Sequence, residues 1–296
     1  MTMPLTDADR RKFAEEGYVV VENVLAPEQT ERVVAKARSV LGNGSDSGQV
    51  VDRFGSGEQP VLRKVRGLVR SDPVFRELAT SPAIVDVVEE LLGEEALIFR
   101  DVLVVKPAHE GAAFEWHQDS AYWDIDPPAL ISAWVALADV PESAGCLTII
   151  PRTQHEPVEH VLFWGEQRRV PRPVTRLLRK AVSLAGTGDN PDGAGGSKTL
   201  DAVKRFVLDG ATRFVPFFGK LGDYAVDERQ LSGLGEQVAL PVRAGSVVFF
   251  HSLLLHASYP NRSDADRISP IISYMGRSFR FTGRGQADFL PAHPAG

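Results

Sequence analysis

The stretch Leu97–Asp119, LIFRDVLVVKPAHEGAAFEWHQD, decides the fold. Its first part, Leu97–Lys106, is dense in branched apolar side chains and reads as a β-strand. After a break carrying Pro107 and Gly111, Glu115 and Trp116 lead into His117-Gln118-Asp119. Residues two apart on a strand project from one face, so an imidazole and a carboxylate would point together. A protein begins a hard or borderline metal site in this way, and the site then needs a third ligand. His256, just after the apolar run Ser246–Leu255, supplies a candidate. His251 competes with it. The two are five apart, so on a regular strand they face opposite sides and only one can look into the site. His256 shares its face with Ser258 and is the better third ligand.

Upstream, residues 1–95 read as a mostly helical N-terminal flank. Thr6 can cap a helix through Glu15 or Glu16 that Gly17 ends, with Tyr18–Val24 as a short strand. Pro27 suits the first turn of Glu28–Leu41, where Val33, Val34, Ala37 and Leu41 form one apolar face. Gly42–Gly57 is polar and glycine-rich, hence a loop. Ser81-Pro82 opens an amphipathic helix through Leu92, stopped by Gly93.

Downstream the period changes. Ala96–Lys106, Ala129–Ala138, Cys146–Pro151, Gln237–Val242, Ser246–Ser258 and Arg267–Met275 are β-rich runs separated by Gly, Pro, Asn and Asp. They predict a mainly β protein with flanking helices: a double-sheet barrel rather than a series of βαβ units. One segment, Glu156–Gly235, breaks this pattern. It carries the basic run Arg168, Arg169, Arg172, Arg176, Arg179 and Lys180, then a glycine-rich Ala185–Gly196. Such a segment is expected to be an insertion in a single domain spanning 1–296. It would serve either as a lid over the site or as an oligomer or surface elaboration. Its aromatic residues Phe163, Trp164, Phe206, Phe214, Phe217 and Phe218 argue against simple disorder.

With 296 residues, 43% apolar and 24% charged, the chain has the bulk of an ordinary globular protein. A net charge of −6 gives no reason to expect a nucleic-acid partner. The single cysteine, Cys146, excludes an intramolecular disulfide, suits a reducing cytoplasm and reads as a buried core thiol. Neither a signal peptide nor a bilayer-length apolar run is apparent, so no membrane role is expected. The oligomeric state stays open.

Two histidines and a carboxylate with open positions make the facial triad of non-haem Fe(II) oxygenases. The motifs around it appear in a specific order. Trp116-His117-Gln118-Asp119 is followed by Ala133-Trp134-Val135-Ala136-Leu137, by Gly145-Cys146-Leu147, by Pro151 to His155, and by Gly245–His251 through Leu255–Ser258 with Arg267 beyond. In these residues, over about 6–281 without most of the insertion, the chain resembles the phytanoyl-CoA dioxygenase family. The resemblance implies a double-stranded β-helix (jelly-roll, cupin-like) core. It also implies one Fe(II) on His117, Asp119 and His256, with 2-oxoglutarate and O2 as cosubstrates. The expected reaction is hydroxylation of a small-molecule C–H bond with release of succinate and CO2, as in a tailoring step of secondary metabolism. Asp119 separates this chain from halogenases of the wider group, in which a small residue replaces the carboxylate.

The same resemblance assigns Arg267 to the C5 carboxylate of 2-oxoglutarate, for which a guanidinium supplies a matched planar fork. The bland reading of Arg267 is a surface ion pair with Asp264 or Asp266. Ser258 would give a second hydrogen bond, with Ser269 as its rival on the face of Arg267. Lys64 matches an upstream cosubstrate lysine or is a solvated basic turn. Trp134 matches an aromatic near the cosubstrate or is plain core. Tyr122 and Trp123 are candidates for the substrate pocket or for packing. His155 is a turn residue, and His109, His160 and His293 are expected to be solvated. The rival class is a non-oxidative metal-dependent isomerase or hydrolase on a cupin-like barrel. It would use the three metal ligands and leave Ser258 and Arg267 without a task. A serine hydrolase lacks its Gly-x-Ser-x-Gly elbow.

Overall fold

The computed structural model describes residues 5–43, 50–54, 61–109, 113–123, 125–164, 168–169, 224–226, 228–281 and 289–293. Thr6 caps helix α1 (Asp7–Glu16) through a reciprocal pair: its hydroxyl accepts from the Asp9 amide, and the Asp9 carboxylate accepts from the Thr6 amide. Gly17, at φ 84°, closes the helix in the left-handed region that favours glycine. Strand β1 (Tyr18–Val21), helix α2 (Pro27–Asn43), strands β2 (Val50–Phe54) and β3 (Val61–Arg66) and helices α3 (Leu68–Ser71), α4 (Pro73–Ala79) and α5 (Pro82–Leu92) follow. The N-terminal segment is therefore more than a helical flank, because β1, β2 and β3 all join the largest sheet. The loop expected over Gly42–Gly57 contains β2. Its run Val50-Val51-Asp52-Arg53-Phe54 pairs antiparallel with β3, and backbone pairing overrides the polar composition around it.

The rest is almost all strand. β4 (Ala96–Lys106), β5 (Phe114–His117), β6 (Ile125–Asp126), β7 (Ile131–Val135) and β8 (Leu147–Ile150) precede the insertion. β9 (His160–Trp164), β10 (Arg168–Arg169) and β11 (Tyr224–Val226) lie within it, followed by the short helix α6 (Glu228–Leu231). β12 (Val238–Leu240), β13 (Val247–His251), β14 (Leu255–Ser258), β15 (Arg267–Gly276), β16 (Arg280–Phe281) and β17 (Leu290–Pro291) complete the chain. The apolar run Ser246–Ser258 is thus two strands, not one. The turn between them is held by the Leu253 amide on His251 Nδ1 at 3.1 Å and the Leu130 amide on Ser252 Oγ at 2.9 Å.

An eight-stranded sheet runs β1-β13-β7-β15-β4-β3-β2, with β17 also on β4, and a four-stranded sheet runs β12-β8-β14-β5. Every pairing is antiparallel. Alternation sorts the side chains by face. Trp134, Val248 and Phe250 of the large sheet meet Leu147, Ile149 and Leu240 of the small one. Ile131, Ala133, Phe249, Ile272 and Tyr274 point the other way, into a core shared with Phe13, Val33, Phe75, Ile84 and Val88 of the helices. The result is a double-stranded β-helix with helices on the outer face of its large sheet. Cys146 is buried as expected.

The described part of the insertion is a small antiparallel sheet. β9 and β11, from its two ends, pair antiparallel with His160 opposite Val226. The rest of the basic run, Ala185–Gly196, and Phe206, Phe214, Phe217 and Phe218 lie outside the described residues. Among the described residues no helix is long and apolar enough to cross a membrane.

Candidate metal and cosubstrate site

β14 lies beside β5 with His256 opposite His117. Strand β5 stops at His117, and Asp119 opens a 3-10 turn over Asp119–Tyr122. The carboxylate therefore reaches the imidazoles from a turn and not, as strand alternation predicts, from the next place on the same strand face. One ligand atom from each of His117, Asp119 and His256 lies within 4.8 Å of the others. The two imidazole rings are 4.2 Å apart, and His117 Nε2 is 3.8 Å from Asp119 Oδ1. Both rings are oriented locally: His117 Nδ1–H donates to Glu115 O at 2.7 Å and His256 Nδ1–H to Leu254 O at 2.9 Å. That tautomer puts the ring lone pair on Nε2, the atom that would ligate a metal. Burial, and then the neighbouring His256, pulls the His117 pKa down to about 3, so the ring is neutral as a ligand must be. Burial alone would raise the Asp119 carboxyl. His256, the Arg100 guanidinium and the Ser132 hydroxyl outweigh it and keep the group below the usual range.

His251 ends the neighbouring strand and accepts from the Leu253 amide, outside the triad. Burial holds it down to about 4. His155 is exposed in its turn, His109 pairs with Asp264 and His293 with Glu89 at the surface. His160 is the correction. It is buried at 6% exposure, donates from Nδ1 to Val158 O, and accepts the Gln118 amide on Nε2 at 2.8 Å. The early part of the insertion is thereby fixed to the peptide between two of the three candidate ligands. Gln118 itself is wholly buried, with its side-chain nitrogen donating to the carbonyls of Thr153, Glu156 and Leu253 and its oxygen accepting from the Val158 amide.

Arg267, 5% exposed, has no carboxylate partner among the described residues; Asp264 serves His109 and Asp266 accepts from the Ala108 amide. Its Nη1 donates to Gly145 O at 2.8 Å, while its Nε has no partner. Burial lowers its pKa to about 10, which leaves it charged near neutrality. Ser258 Oγ donates to the same Gly145 carbonyl at 3.2 Å. Gly145, at φ 69°, comes so close to Tyr259 O that a side chain there would collide with it. By contrast Ser269 Oγ is fully buried with no partner. A buried guanidinium nitrogen and a buried hydroxyl, both unsatisfied and two apart on β15, fit a missing anion such as the far carboxylate of 2-oxoglutarate.

Lys64 lies on a strand, not a turn. It shares a row with Val104 and Ser269, and its ammonium sits 4.6 Å over the Phe114 ring. Trp134 is both core and site wall, 1% exposed with the Arg267 guanidinium 5.6 Å from its ring centre. Trp123 packs on Phe99 at 5.2 Å and carries the Arg100 guanidinium at 4.5 Å. Tyr122 ends the 3-10 turn, and its side chain lies outside the described residues. Sequence reasoning missed Ser132, Ser273, Arg100 and Gln118. The signal for Ser132 was one polar residue inside the otherwise apolar β7, and that for Ser273 was its place on the alternate row of β15 that already carries Arg267 and Ser269.

The chain is similar to known proteins along most of its length. The family profile described as Phytanoyl-CoA dioxygenase (PhyH) matches residues 13–269. An L-proline trans-4-hydroxylase of Streptomyces griseoviridis is 26% identical over 99% of this chain and 91% of its own length. EctD from S. alaskensis, solved with 2-oxoglutarate and 5-hydroxyectoine, superposes with a TM-score of 0.66 at 19% identity, covering 98% of this chain and 86% of that one. The epimerase SnoN from nogalamycin biosynthesis, solved with Fe3+, alpha ketoglutarate and nogalamycin RO, gives 0.61 at 20% identity, covering 98% and 95%. The profile covers most of the sequence, and the chain belongs to the phytanoyl-CoA dioxygenase family of iron- and 2-oxoglutarate-dependent oxygenases.

Proposed function

We propose that the protein hydroxylates a C–H bond of a small cytoplasmic metabolite, with His117, Asp119 and His256 as iron ligands and Arg267 as the anchor of 2-oxoglutarate. The observation that carries this reading is the pair of unsatisfied buried donors, Arg267 Nε and Ser269 Oγ, on the β15 face that also carries Ser273, which meets Ser132 and through it Asp119. A non-oxidative metal enzyme would have no use for them.

When bound, the iron couples O2 to the decarboxylation of 2-oxoglutarate and activates a substrate C–H bond. The chain supplies the rest. Glu115 O and Leu254 O fix the imidazoles, so that their Nε2 atoms face the ion. The Ser132 hydroxyl donates to Asp119 Oδ2 at 3.1 Å, which aims the other oxygen inward. Arg267 and Ser269 hold the cosubstrate carboxylate against the Trp134 wall, with Lys64 in the adjoining row. Ser258 acts at one remove: it shares the Gly145 carbonyl with Arg267 and so sets the guanidinium. His160, at the start of the insertion, accepts the Gln118 amide and so holds the peptide between His117 and Asp119 from behind. Succinate release from 2-oxoglutarate on addition of Fe(II) tests the whole reading; none would be released by a metal-dependent isomerase or hydrolase.

A further inference from the structure

The turn that carries Asp119 is gripped on both sides of the aspartate. The Ser120 amide donates to Ser252 O at 3.0 Å and the Ser120 hydroxyl to Ser252 Oγ at 2.6 Å, while the Gln118 side chain donates to Leu253 O. The backbone at Asp119 is thereby held against the turn that leads into His256. One freedom is left, rotation of the carboxyl about its own axis, and a terminal torsion of this kind has only a broad preference. That rotation decides whether the carboxylate offers a metal one oxygen or two.

Two serines of the large sheet act on it. Ser132 and Ser273 stand opposite each other on β7 and β15, at 0% and 3% exposure, so bulk solvent does not compete for their hydroxyls. Ser132 Oγ donates to Asp119 Oδ2 at 3.1 Å and lies 3.0 Å from Ser273 Oγ. A hydroxyl has one proton and an ionised carboxylate only accepts, so the order is fixed: Ser273 donates to Ser132, and Ser132 donates to Asp119. Each link of such a chain polarises the next. The relay ends on Oδ2. The other oxygen, Oδ1, is the one turned to the histidines, 3.8 Å from His117 Nε2.

The number of donors gives this arrangement its meaning. Two imidazoles and one carboxylate oxygen leave three places on a six-coordinate ion. The keto acid end of 2-oxoglutarate can take two of them and O2 the third. A carboxylate that bound through both oxygens would occupy that third place.

Building on the oxygenase reading above, we propose that Ser132 and Ser273 are positioning residues that hold Asp119 to one ligating oxygen and so keep a place on the iron for O2.

The experiment uses the wild type, Ser132→Ala, Ser273→Ala and the double variant, loaded with Fe(II) without air. Calorimetry gives the Fe(II) and 2-oxoglutarate affinities. Nitric oxide stands in for O2, and its binding is followed by electron paramagnetic resonance with and without 2-oxoglutarate. Loss of an ordinary support around a ligand lowers metal affinity about 10- to 100-fold. Ser132→Ala should instead keep or gain Fe(II) affinity, because the released oxygen can join the ion. Its nitric oxide affinity should fall about 10- to 100-fold when 2-oxoglutarate is bound, and change little when it is not. Ser273→Ala should act in the same direction less strongly, and add nothing in the Ser132→Ala background. It carries the test by itself if Ser132→Ala does not fold. A loss of Fe(II) affinity, an unchanged nitric oxide affinity in either single variant, or additive effects of the two serines overturns the proposal. The same calorimetry separates the two failures. A wild type that binds Fe(II) and not 2-oxoglutarate removes the oxygenase reading as well, whereas one that binds both, with the serine variants unchanged, removes only the relay.

Discussion

The two sheets divide the chemistry, and they fix their halves of the site in different ways. The small sheet and its turn bring His117, Asp119 and His256 together, and each imidazole is aimed by a carbonyl two residues before it in its own chain. The large sheet brings Arg100, Lys106, Arg267, Ser132, Ser269 and Ser273 together by strand register, between residues far apart in sequence. One half is specified locally, the other by pairing across the fold. The first should therefore fail sharply when a ligand is changed, and the second should fail in graded steps as single donors are removed.

The largest effect is expected at the local half. Asp119→Ala should lose iron and turnover by more than the about 100-fold that bounds changes around, rather than in, a ligand set. The fold should persist, since Asp119 lies in a turn outside the main hydrophobic clusters. Metal content and circular dichroism on one preparation test both statements. A variant that kept iron and rate would remove the triad.

Next comes the arginine. Arg267→Ala should weaken 2-oxoglutarate by roughly 2–4 kcal/mol, about 30- to 1,000-fold, as a charge-assisted anchor is lost from a dry pocket. Its effect on the metal-free fold should be opposite to that of an ordinary core truncation. The guanidinium is buried without a counter-charge, so its removal relieves a desolvation cost and the apo melting temperature should hold or rise. An unchanged affinity would shift the anchor to Lys64.

This division also explains what was legible in the sequence. His117 and Asp119 could be read because their spacing is short, although the geometry came from a strand end and a turn instead of one continuous strand. The structure brings His256, and not His251, beside His117 and Asp119, whereas the premise of one regular strand failed at the Ser252–Leu254 turn. The helices at Asp7–Glu16 and Pro82–Leu92 announced themselves by Thr6, Gly17, Pro82 and Gly93, whose effects are local. β2 did not, because only its pairing with β3 makes it a strand. For the same reason Arg100 was invisible. Adjacent charges in a strand point to opposite faces, and here Asp101 turns outward to accept the Leu68 amide at 2.8 Å while Arg100 turns inward.

A pair of serines sharpens the graded half. Ser269→Ala should weaken 2-oxoglutarate by about 10- to 100-fold, since its hydroxyl is buried and available only to the anion. Ser258→Ala should cost much less, because that hydroxyl already donates to Gly145 O. Calorimetry with each variant decides; the reverse order would return Ser258 to direct contact.

The smallest effect tests whether the local half is as local as it looks. His160 sits at the start of the insertion, yet its Nε2 accepts the amide of Gln118, the residue between the two ligands of the turn. His160→Phe keeps a ring of similar shape and removes the acceptor. The Gln118 amide is then buried without a partner, at a stability cost of about 1–3 kcal/mol. The turn that carries Asp119 loses one restraint, and iron affinity should fall by about tenfold, the low end for a support one bond removed from the ligands. His160→Gln offers an amide oxygen in place of Nε2 and should recover part of both. Iron affinity is the readout that matters, because a purely structural role would lower the melting temperature and leave the metal untouched. If it does, the insertion is anchored near the site without tuning it, and the metal half depends on its own chain alone.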